Sequence, residues 1–206
     1  MNSDRQAEKL AGKAIRGNVN AYGQLIEYYK EYLYRTAWLL VKNQEDALDI
    51  VSDCILRGFH SIRTLKKPEY FRTWMTRILI NSARDYRRRY PETEDIDTIY
   101  MAEPEQGISP EEKMDLYRAI DLLPEKYRNV VILKYFDEMK ISEIAYALEI
   151  PEGTVKVYLS RAKTKLRLLL EEDEIYEDEA SGYTSSGRTG SGRTGKHEPY
   201  LFRAKA

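Results

Sequence analysis

The stretch that decides the fold of the second half of the chain runs Ile141-Ser-Glu-Ile-Ala-Tyr-Ala-Leu148 and then Gly153-Thr-Val-Lys-Val-Tyr-Leu-Ser-Arg-Ala-Lys163. It predicts a short helix from Ser142 to Leu148, a break at Glu149-Ile-Pro151 and a second helix from about Glu152 to Leu170. Apolar residues recur in the second helix at alternating steps of four and three, which places them on one buried stripe: Val155, Leu159, Ala162, Leu166 and Leu169.

The remaining surface of this second helix is basic. Between Gly153 and Leu170 the sequence has no acidic residue, and its cations are Lys156, Arg161, Lys163, Lys165 and Arg167. A short helix, a tight turn and a second helix with one buried and one basic face are the layout of a helix-turn-helix, which inserts its second helix into the DNA major groove. Glu149 stands where the turn often has Gly, so the turn geometry is left open.

Composition narrows the class of protein. The chain has 206 residues, of which 33% are charged, and its formal net charge is -1, so DNA binding has to rely on locally segregated cations. Cys54 is the only cysteine, which excludes an intrachain disulfide and a multi-thiolate zinc site. No apolar signal core or membrane-spanning run is present, so a cytoplasmic, soluble protein is expected. We find no catalytic constellation, and we predict neither a metal nor a cofactor.

The first half predicts four helices, and two of them show functional patterns. Helix three, about Glu45 to Phe59, has three aspartates on one face, Asp46, Asp49 and Asp53, and buries Cys54 and Phe59. Helix four, about Pro68 to Arg89, places Trp74 on its inner stripe with Phe71, Met75, Ile78, Ser82 and Tyr86. A second stripe on helix four holds Thr73, Arg77, Asn81, Arg84 and Arg88.

The fold class predicted from these patterns is all-α, with two small helical domains joined by a flexible acidic linker. We expect an N-terminal arm over 1–17, a first domain over 18–90, the linker over 91–108 and a second domain, with the helix-turn-helix, over 109–171. Ser109-Pro-Glu-Glu112 predicts a capping box at the start of the second domain. A tail over 172–206, first acidic and then Gly/Ser/Arg-rich, is expected to be disordered.

Two blocks of sequence resemble the extracytoplasmic-function (ECF) sigma factors of bacterial RNA polymerase, in the sigma-70 family. The runs Asp46–Phe59 and Phe71–Arg89 are similar to regions 2.2 and 2.3–2.4 of that family. Leu123–Arg128 and Ile144–Leu168, which include Gly153-Thr-Val-Lys156, resemble region 4. The resemblance covers 18–171 and implies a factor that binds core polymerase, recognises the −35 and −10 promoter elements and helps melt DNA, while the polymerase does the chemistry.

Residue by residue, the resemblance implies three sites. Core polymerase would be bound by Asp46, Asp49, Ser52 and Asp53, where Ser52 replaces the usual Gln of the family. The −10 element would be bound by Asn81 through a base edge and by basic residues, namely Arg77, Arg84, Arg87 and Arg88. The −35 element would be recognised by Glu152, Thr154, Lys156, Val157, Tyr158 and Arg161, with Lys163 and Lys165 on phosphates.

Other interpretations stay open at this point. The acidic and basic faces could be ordinary solvated helix faces, and Trp74 and Cys54 are expected in the core. The alternative function is a helix-turn-helix regulator that never enters polymerase; a third class, an RNA-binding or enzymatic helical protein, has only the Arg-Gly tail in its favour. The resemblance further implies an anti-sigma partner, commonly membrane-anchored, with no direct membrane insertion of this chain.

Overall fold

The computed structural model describes residues 2–90 and 110–181, and the secondary structure within those ranges is helical. The predicted linker and Ser109 of the capping box lie outside the described residues, as does the predicted tail from residue 182 onward. The expectation of disorder from residue 172 is wrong for residues 172–181, because the helix that begins at Glu152 continues to Ser181 and no glycine or proline stands between Gly153 and Gly182. The helices are α1 (Asn2–Ile15), α2 (Val19–Val41), α3 (Gln44–Ser61), α4 (Phe71–Arg89), α5 (Pro110–Asp121), α6 (Glu125–Val131), α7 (Ile141–Leu148) and α8 (Glu152–Ser181). Short 3-10 turns at Ile62–Thr64 and Pro68–Tyr70 precede α4, and a π-helical turn at Ile132–Phe136 follows α6.

Contacts divide the chain into two compact units. The first contains α1 to α4, the π-helical turn, α7 and the first turn of α8, and the second contains α5, α6 and the rest of α8. The predicted domain division differs from this one, because it assigned residues 132–155 to the second domain. The division into domains at 18–90 and 109–171 therefore stays a prediction.

Side chains at the helix starts explain why the first unit begins its helices where it does. Asn18 accepts a hydrogen bond from the Ala21 N–H at 2.9 Å, and Asn43 accepts one from the Asp46 N–H at 3.0 Å. Each amide oxygen satisfies one of the backbone donors that the first helical turn leaves without a partner. Lys42 ends α2 in the left-handed region, with φ 57°.

The core of the first unit lies between α2, α3 and α4. It consists of apolar side chains that are essentially free of solvent contact, among them Leu25, Leu33, Ile50, Phe71, Met75 and Leu79. Trp74 and Cys54 are buried as predicted. Phe59 was expected in the core as well, but its side chain is 38% exposed; it lies near the end of α3, and its ring packs against Tyr22 with the centroids 5.4 Å apart.

Gly58 allows α3 to approach its neighbours closely. A Cβ at this position would lie 2.6 Å from the Tyr22 hydroxyl oxygen and 2.8 Å from the Met75 sulfur. Both distances are too short for a carbon atom, so only glycine fits without a shift of the surrounding core.

The second unit is built on the predicted apolar stripe of α8. Ala162 and Leu166 are fully buried, while Leu159 and Leu169 are half-buried. The helices α5 and α6 and the connection between them supply further buried residues: Leu116, Ala119, Ile120, Leu123, Tyr127, Val130 and Val131.

The turn before α8 forms although it lacks glycine. Glu149 adopts the left-handed conformation with φ 57° and ψ 41°, and the Ile150 N–H donates to the Ala145 carbonyl at 3.1 Å. The question that the sequence left open is thus answered: a non-glycine residue takes the strained conformation.

Candidate nucleic-acid and protein-binding surfaces

The three aspartates of α3 are in different situations. Asp49 is exposed, and its carboxylate makes no hydrogen bond or ion pair with the described residues. Asp46 accepts a hydrogen bond from the Tyr86 hydroxyl at 2.5 Å, and this bond raises the pKa of Tyr86 to about 12. Asp53 pairs with Arg57 at 2.8 Å, one turn along the same helix. Ser52 is exposed and donates to the Leu48 carbonyl at 2.8 Å, so its hydroxyl is occupied by its own helix.

Two apolar residues beside these aspartates were missed by the sequence reasoning. Leu48 is 50% exposed and Leu56 is 60% exposed, and with Ser52 between them they form a line with a spacing of four residues. That spacing was visible in the sequence and could have identified them. We call Leu48, Asp49, Ser52, Asp53 and Leu56 the α3 face; it combines exposed apolar area with negative charge.

Part of the basic stripe of α4 is open to solvent. The Arg88 side chain is 80% exposed and pairs with Asp85 at 3.3 Å. Arg84 is exposed and donates to the Asn81 side-chain oxygen at 3.3 Å, which leaves the Asn81 amide group as a donor. Exposed pairs of this kind contribute little to stability, so a phosphate can replace them at small cost.

Arg77 and Arg87 have protein partners. Arg77 makes an ion pair with Glu149 and lies over the Tyr146 ring, 5.1 Å from its centroid. Arg87 donates a hydrogen bond to the Leu40 carbonyl, near the end of α2. A cation at this place complements the negative end of the helix dipole, so Arg87 has a structural role in holding α2 to α4.

The α8 residues predicted to bind the −35 element fall into an exposed group and a half-buried group. Lys156 and Val157 are exposed, with Val157 at 46%, as are Glu152, Arg161 and Lys165. Thr154, Tyr158 and Lys163 are half-buried. Ser160 is exposed one turn after Lys156 and was missed, although its position on the same face was visible from the spacing.

Tyr158 and Arg161 contact α6. The Tyr158 ring meets the Tyr127 ring edge-on, with centroids 5.5 Å apart, and Lys126 lies over both rings. Arg161 donates a hydrogen bond to the Tyr127 hydroxyl, which lowers the Tyr127 pKa. These two side chains therefore help attach α8 to α6, and any contact with bases has to be compatible with that attachment.

Comparison with known families identifies both halves of the chain. The family model described as Sigma-70 region 2 matches residues 25–91, and the model described as Sigma-70, region 4 matches residues 113–166. RNA polymerase sigma factor SigV of Bacillus subtilis is 34% identical over 148 residues, which cover 71% of this chain and 89% of SigV. The chain belongs to the ECF sigma factors of bacterial RNA polymerase.

Further relatives agree with this assignment. The ECF sigma factor SigW of Bacillus subtilis is 30% identical over 177 residues, with 78% of this sigma factor and 94% of SigW covered. A solved structure of CnrH in complex with the cytosolic domain of CnrY has 25% identity and a TM-score of 0.63, and covers 82% of this chain and 99% of CnrH. The sigma factor RpoE, solved with the anti-sigma factor NepR from Bartonella quintana, shares the fold with a TM-score of 0.60 at 21% identity, covering 74% of this chain and 98% of RpoE.

The sigma factor binds core RNA polymerase and directs promoter-specific initiation of transcription. The match to region 2 excludes the alternative of a regulator that acts without polymerase, since such a protein needs only the helix-turn-helix. No helix within the described residues is long and apolar enough to cross a membrane. The same residues contain no group of three or more His, Cys, Asp or Glu side chains suited to a metal ion.

Proposed function

We propose that the α3 face is the surface with which this sigma factor docks on core polymerase. The observation that supports this most is the exposed Asp49 between Leu48 and Leu56, since a carboxylate that has no hydrogen-bond or ion-pair partner among the described residues, and lies beside apolar area, suits a basic helical partner. Asp46 and Asp53 contribute negative potential but have to loosen their bonds to Tyr86 and Arg57 to make direct contacts.

The docking proposal is tested by charge reversal. Asp49→Lys is expected to weaken binding to purified core polymerase by about tenfold or more, because a like charge against a basic partner is repulsive. Glu31→Lys on α2 changes the net charge equally at an exposed position outside the α3 face, and it serves as the matched control. Equal affinities for Asp49→Lys and Glu31→Lys would exclude the α3 face as the docking surface.

For promoter melting, the proposal assigns base contacts to Asn81 and phosphate contacts to Arg77, Arg84 and Arg88. The exposure of Arg84 and Arg88 supports this assignment. Arg87 is the weakest member of the predicted set because of its bond to Leu40. Arg84→Ala with Arg88→Ala should slow open-complex formation, measured by permanganate footprinting, while −35 protection by the same holoenzyme is kept.

At the −35 element we propose that Lys156, Val157 and Ser160 meet base edges and that Lys163 and Lys165 hold phosphates. The two classes of residue predict different responses. Lys156→Ala should reduce discrimination among −35 sequences. Lys165→Ala should instead weaken binding to all −35 sequences by a similar factor, and it should lower the slope of log affinity against log salt concentration by about one. Run-off transcription with core polymerase and pooled genomic fragments supplies the promoters for both measurements.

We also propose an anti-sigma partner, and with it a cytoplasmic site of action. The support is the similarity to CnrH, which was solved with the cytosolic domain of CnrY. Because the cytosolic domain is named as one domain of CnrY, a similar partner of this sigma factor could have a further part in the membrane. Retention of the sigma factor by membranes of its source cells would be the expected result, and its recovery entirely in the membrane-free fraction would contradict the proposal.

A further inference from the structure

Arg57 joins α3 to α4 through two ion pairs. Its Nη1 lies 2.7 Å from Oδ2 of Asp85 on α4, and its Nε lies 2.8 Å from Oδ2 of Asp53, one turn earlier on α3. The guanidinium thus presents two different nitrogens to two carboxylates, which fixes its orientation. Neither the docking assignment nor the promoter assignment gives Arg57 a role of its own.

Asp85 is an acidic residue within the basic stripe of α4. It stands one turn after Asn81 and one turn before Arg88, and it follows Arg84 directly in sequence. Residues three and four positions apart are neighbours on a helix surface, so the Asp85 carboxylate lies beside side chains proposed to meet DNA. Without a cation, a carboxylate at this position would repel phosphates and compete with them for the arginines.

The two oxygens of the Asp85 carboxylate have different arginine partners. Oδ2 accepts a hydrogen bond from Arg57 at 2.7 Å, and Oδ1 accepts one from Arg88 at 3.3 Å. The Arg57 and Asp85 side chains are 34% and 28% exposed, whereas Arg88 is 80% exposed. The bond to Arg57 is also the largest cause that lowers the pKa of Asp85 below its ordinary value. The pair with Arg88 is therefore the one that exchanges more easily with a phosphate.

We propose that Arg57 is a positioning residue for promoter DNA, which holds the charge of Asp85 from the α3 side so that Arg88 can move from Asp85 to a phosphate. When Arg88 leaves, Asp85 keeps one cation, and no uncompensated carboxylate faces the DNA backbone. Arg57 acts through Asp85, so it needs no contact of its own with DNA. The inference rests on the proposed role of the α4 stripe in promoter melting.

Removing Arg57 should impair the basic stripe through Asp85. In Arg57→Ala the Asp85 carboxylate loses its partner on α3, holds Arg88 more strongly and repels phosphates. We expect open-complex formation to slow by about fivefold, the effect of one like charge near a phosphate in water-like surroundings. The measurement is permanganate footprinting of holoenzyme on a promoter fragment recovered by run-off transcription. The sigma factor is kept in excess over core polymerase, so that a change in core affinity does not contribute.

A second substitution separates charge compensation from a purely structural role. Adding Asp85→Asn to Arg57→Ala removes the carboxylate, so the rate should return to within about twofold of the wild-type rate. If Arg57 served only to hold α3 against α4, the double variant would stay slow, because the bridge between the helices is still missing. Rescue supports the proposal. Failure of rescue overturns it, as does a wild-type rate in a folded Arg57→Ala protein.

A matched control and the stripe itself complete the comparison. Lys30 pairs with Glu27 at 2.5 Å on the exposed surface of α2, so Lys30→Ala also leaves a carboxylate without its cation, but on a different helix. It should keep the wild-type rate, and an equal slowing would contradict a role specific to Arg57. A normal rate in Arg84→Ala with Arg88→Ala refutes the proposed role of the stripe. A slow rate there, together with a normal rate in Arg57→Ala, refutes the role of Arg57 alone.

Asp85→Asn alone covers the case in which Arg57→Ala fails to fold. Arg57 then keeps its pair with Asp53. Because Arg57 already compensates the charge of Asp85, removing the carboxylate should leave the rate of open-complex formation unchanged or raise it by up to about twofold. A slowing as large as that of Arg84→Ala with Arg88→Ala would mean that Asp85 itself presents Arg88 to DNA, and it would contradict the proposal.

Discussion

The two sides of α4 are packed in different ways. One side, with Phe71, Met75 and Leu79, is buried among apolar side chains of α2 and α3. The other side meets residues 132–149 through Arg72, Thr73 and Arg77, whose contacts there include hydrogen bonds and an ion pair. Water cannot replace the contacts that buried apolar side chains lose on exposure, whereas polar contacts exchange with water or other polar partners. The difference teaches that the apolar side of α4 serves as a scaffold for the fold, and that the contacts of its polar side are exchangeable.

The largest effect is expected on the scaffold side. Phe71→Ala should lower the free energy of unfolding by about 3–5 kcal/mol, because it removes a fully buried ring and leaves a cavity. Urea unfolding followed by circular dichroism measures this loss. Tyr70→Ala is the neighbouring control, since its ring is 49% exposed and should cost under about 1 kcal/mol. Comparable losses in the two variants would show that the apolar side is not the scaffold.

On the polar side, pH should change the stability of the packing around Asp137. Burial raises the pKa of Asp137 to about 6 from 3.8, against opposing effects of Thr36, Arg72 and Arg35. The proton therefore binds more tightly when the carboxylate is buried, so protonation stabilises the packed state as pH falls through about 6. Above that pH the ionised carboxylate keeps a net cost of burial, which its polar partners reduce but do not cancel.

The pH effect is measured by urea unfolding of the wild type and of Asp137→Asn between about pH 5 and pH 8. The wild-type free energy of unfolding should fall, relative to that of Asp137→Asn, as pH rises through about 6, because Asn has no carboxylate to ionise. A difference that stays constant over this range would contradict the raised pKa of Asp137.

Gly58 tests how tightly the scaffold is packed. Gly58→Ala should destabilise the protein by about 1–3 kcal/mol, although alanine favours helices, because the added carbon meets Tyr22 and Met75. Gly23→Ala in α2 provides the opposite case, since nothing lies within 4 Å of the added carbon. It should stabilise the protein by about 0.5–1 kcal/mol. Stabilisation in both variants would mean that the core around α3 can expand freely.

The buried apolar scaffold could be predicted from sequence because helical periodicity depends only on residues close together in the chain. Helical periodicity placed Trp74, Cys54 and the stripe through Ala162 and Leu166, and those side chains are buried. Periodicity failed for Phe59, since a helical pattern shows which residues share a face but not how far neighbouring elements cover that face near the helix end. Leu48 and Leu56 show the reverse case, because their spacing of four residues is visible in the sequence although their exposure is not.

The polar contacts of Asp137 and α4 could not be predicted in the same way. Asp137 stands 101 positions after its partner Thr36, and no periodic pattern connects them. The basic stripe of α4 was recognised from spacing and from resemblance, but neither indicates that Arg77 is paired with Glu149 or that Arg87 binds the Leu40 carbonyl. Contacts between distant polar residues depend on tertiary geometry, which sequence spacing does not encode.

The smallest effect concerns Glu149, where backbone strain and ion pairing meet in one residue. Its left-handed conformation, with φ 57°, should cost about 1 kcal/mol relative to glycine. Glu149→Ala and Glu149→Gly both remove the pair with Arg77, so the difference between their unfolding free energies isolates the backbone contribution. We expect Glu149→Gly to be the more stable of the two by about 1 kcal/mol. The same two variants in an Arg77→Ala background should show an unchanged difference, because the ion pair is absent from all four proteins; a changed difference would mean that the turn is coupled to the packing of Arg77 on Tyr146.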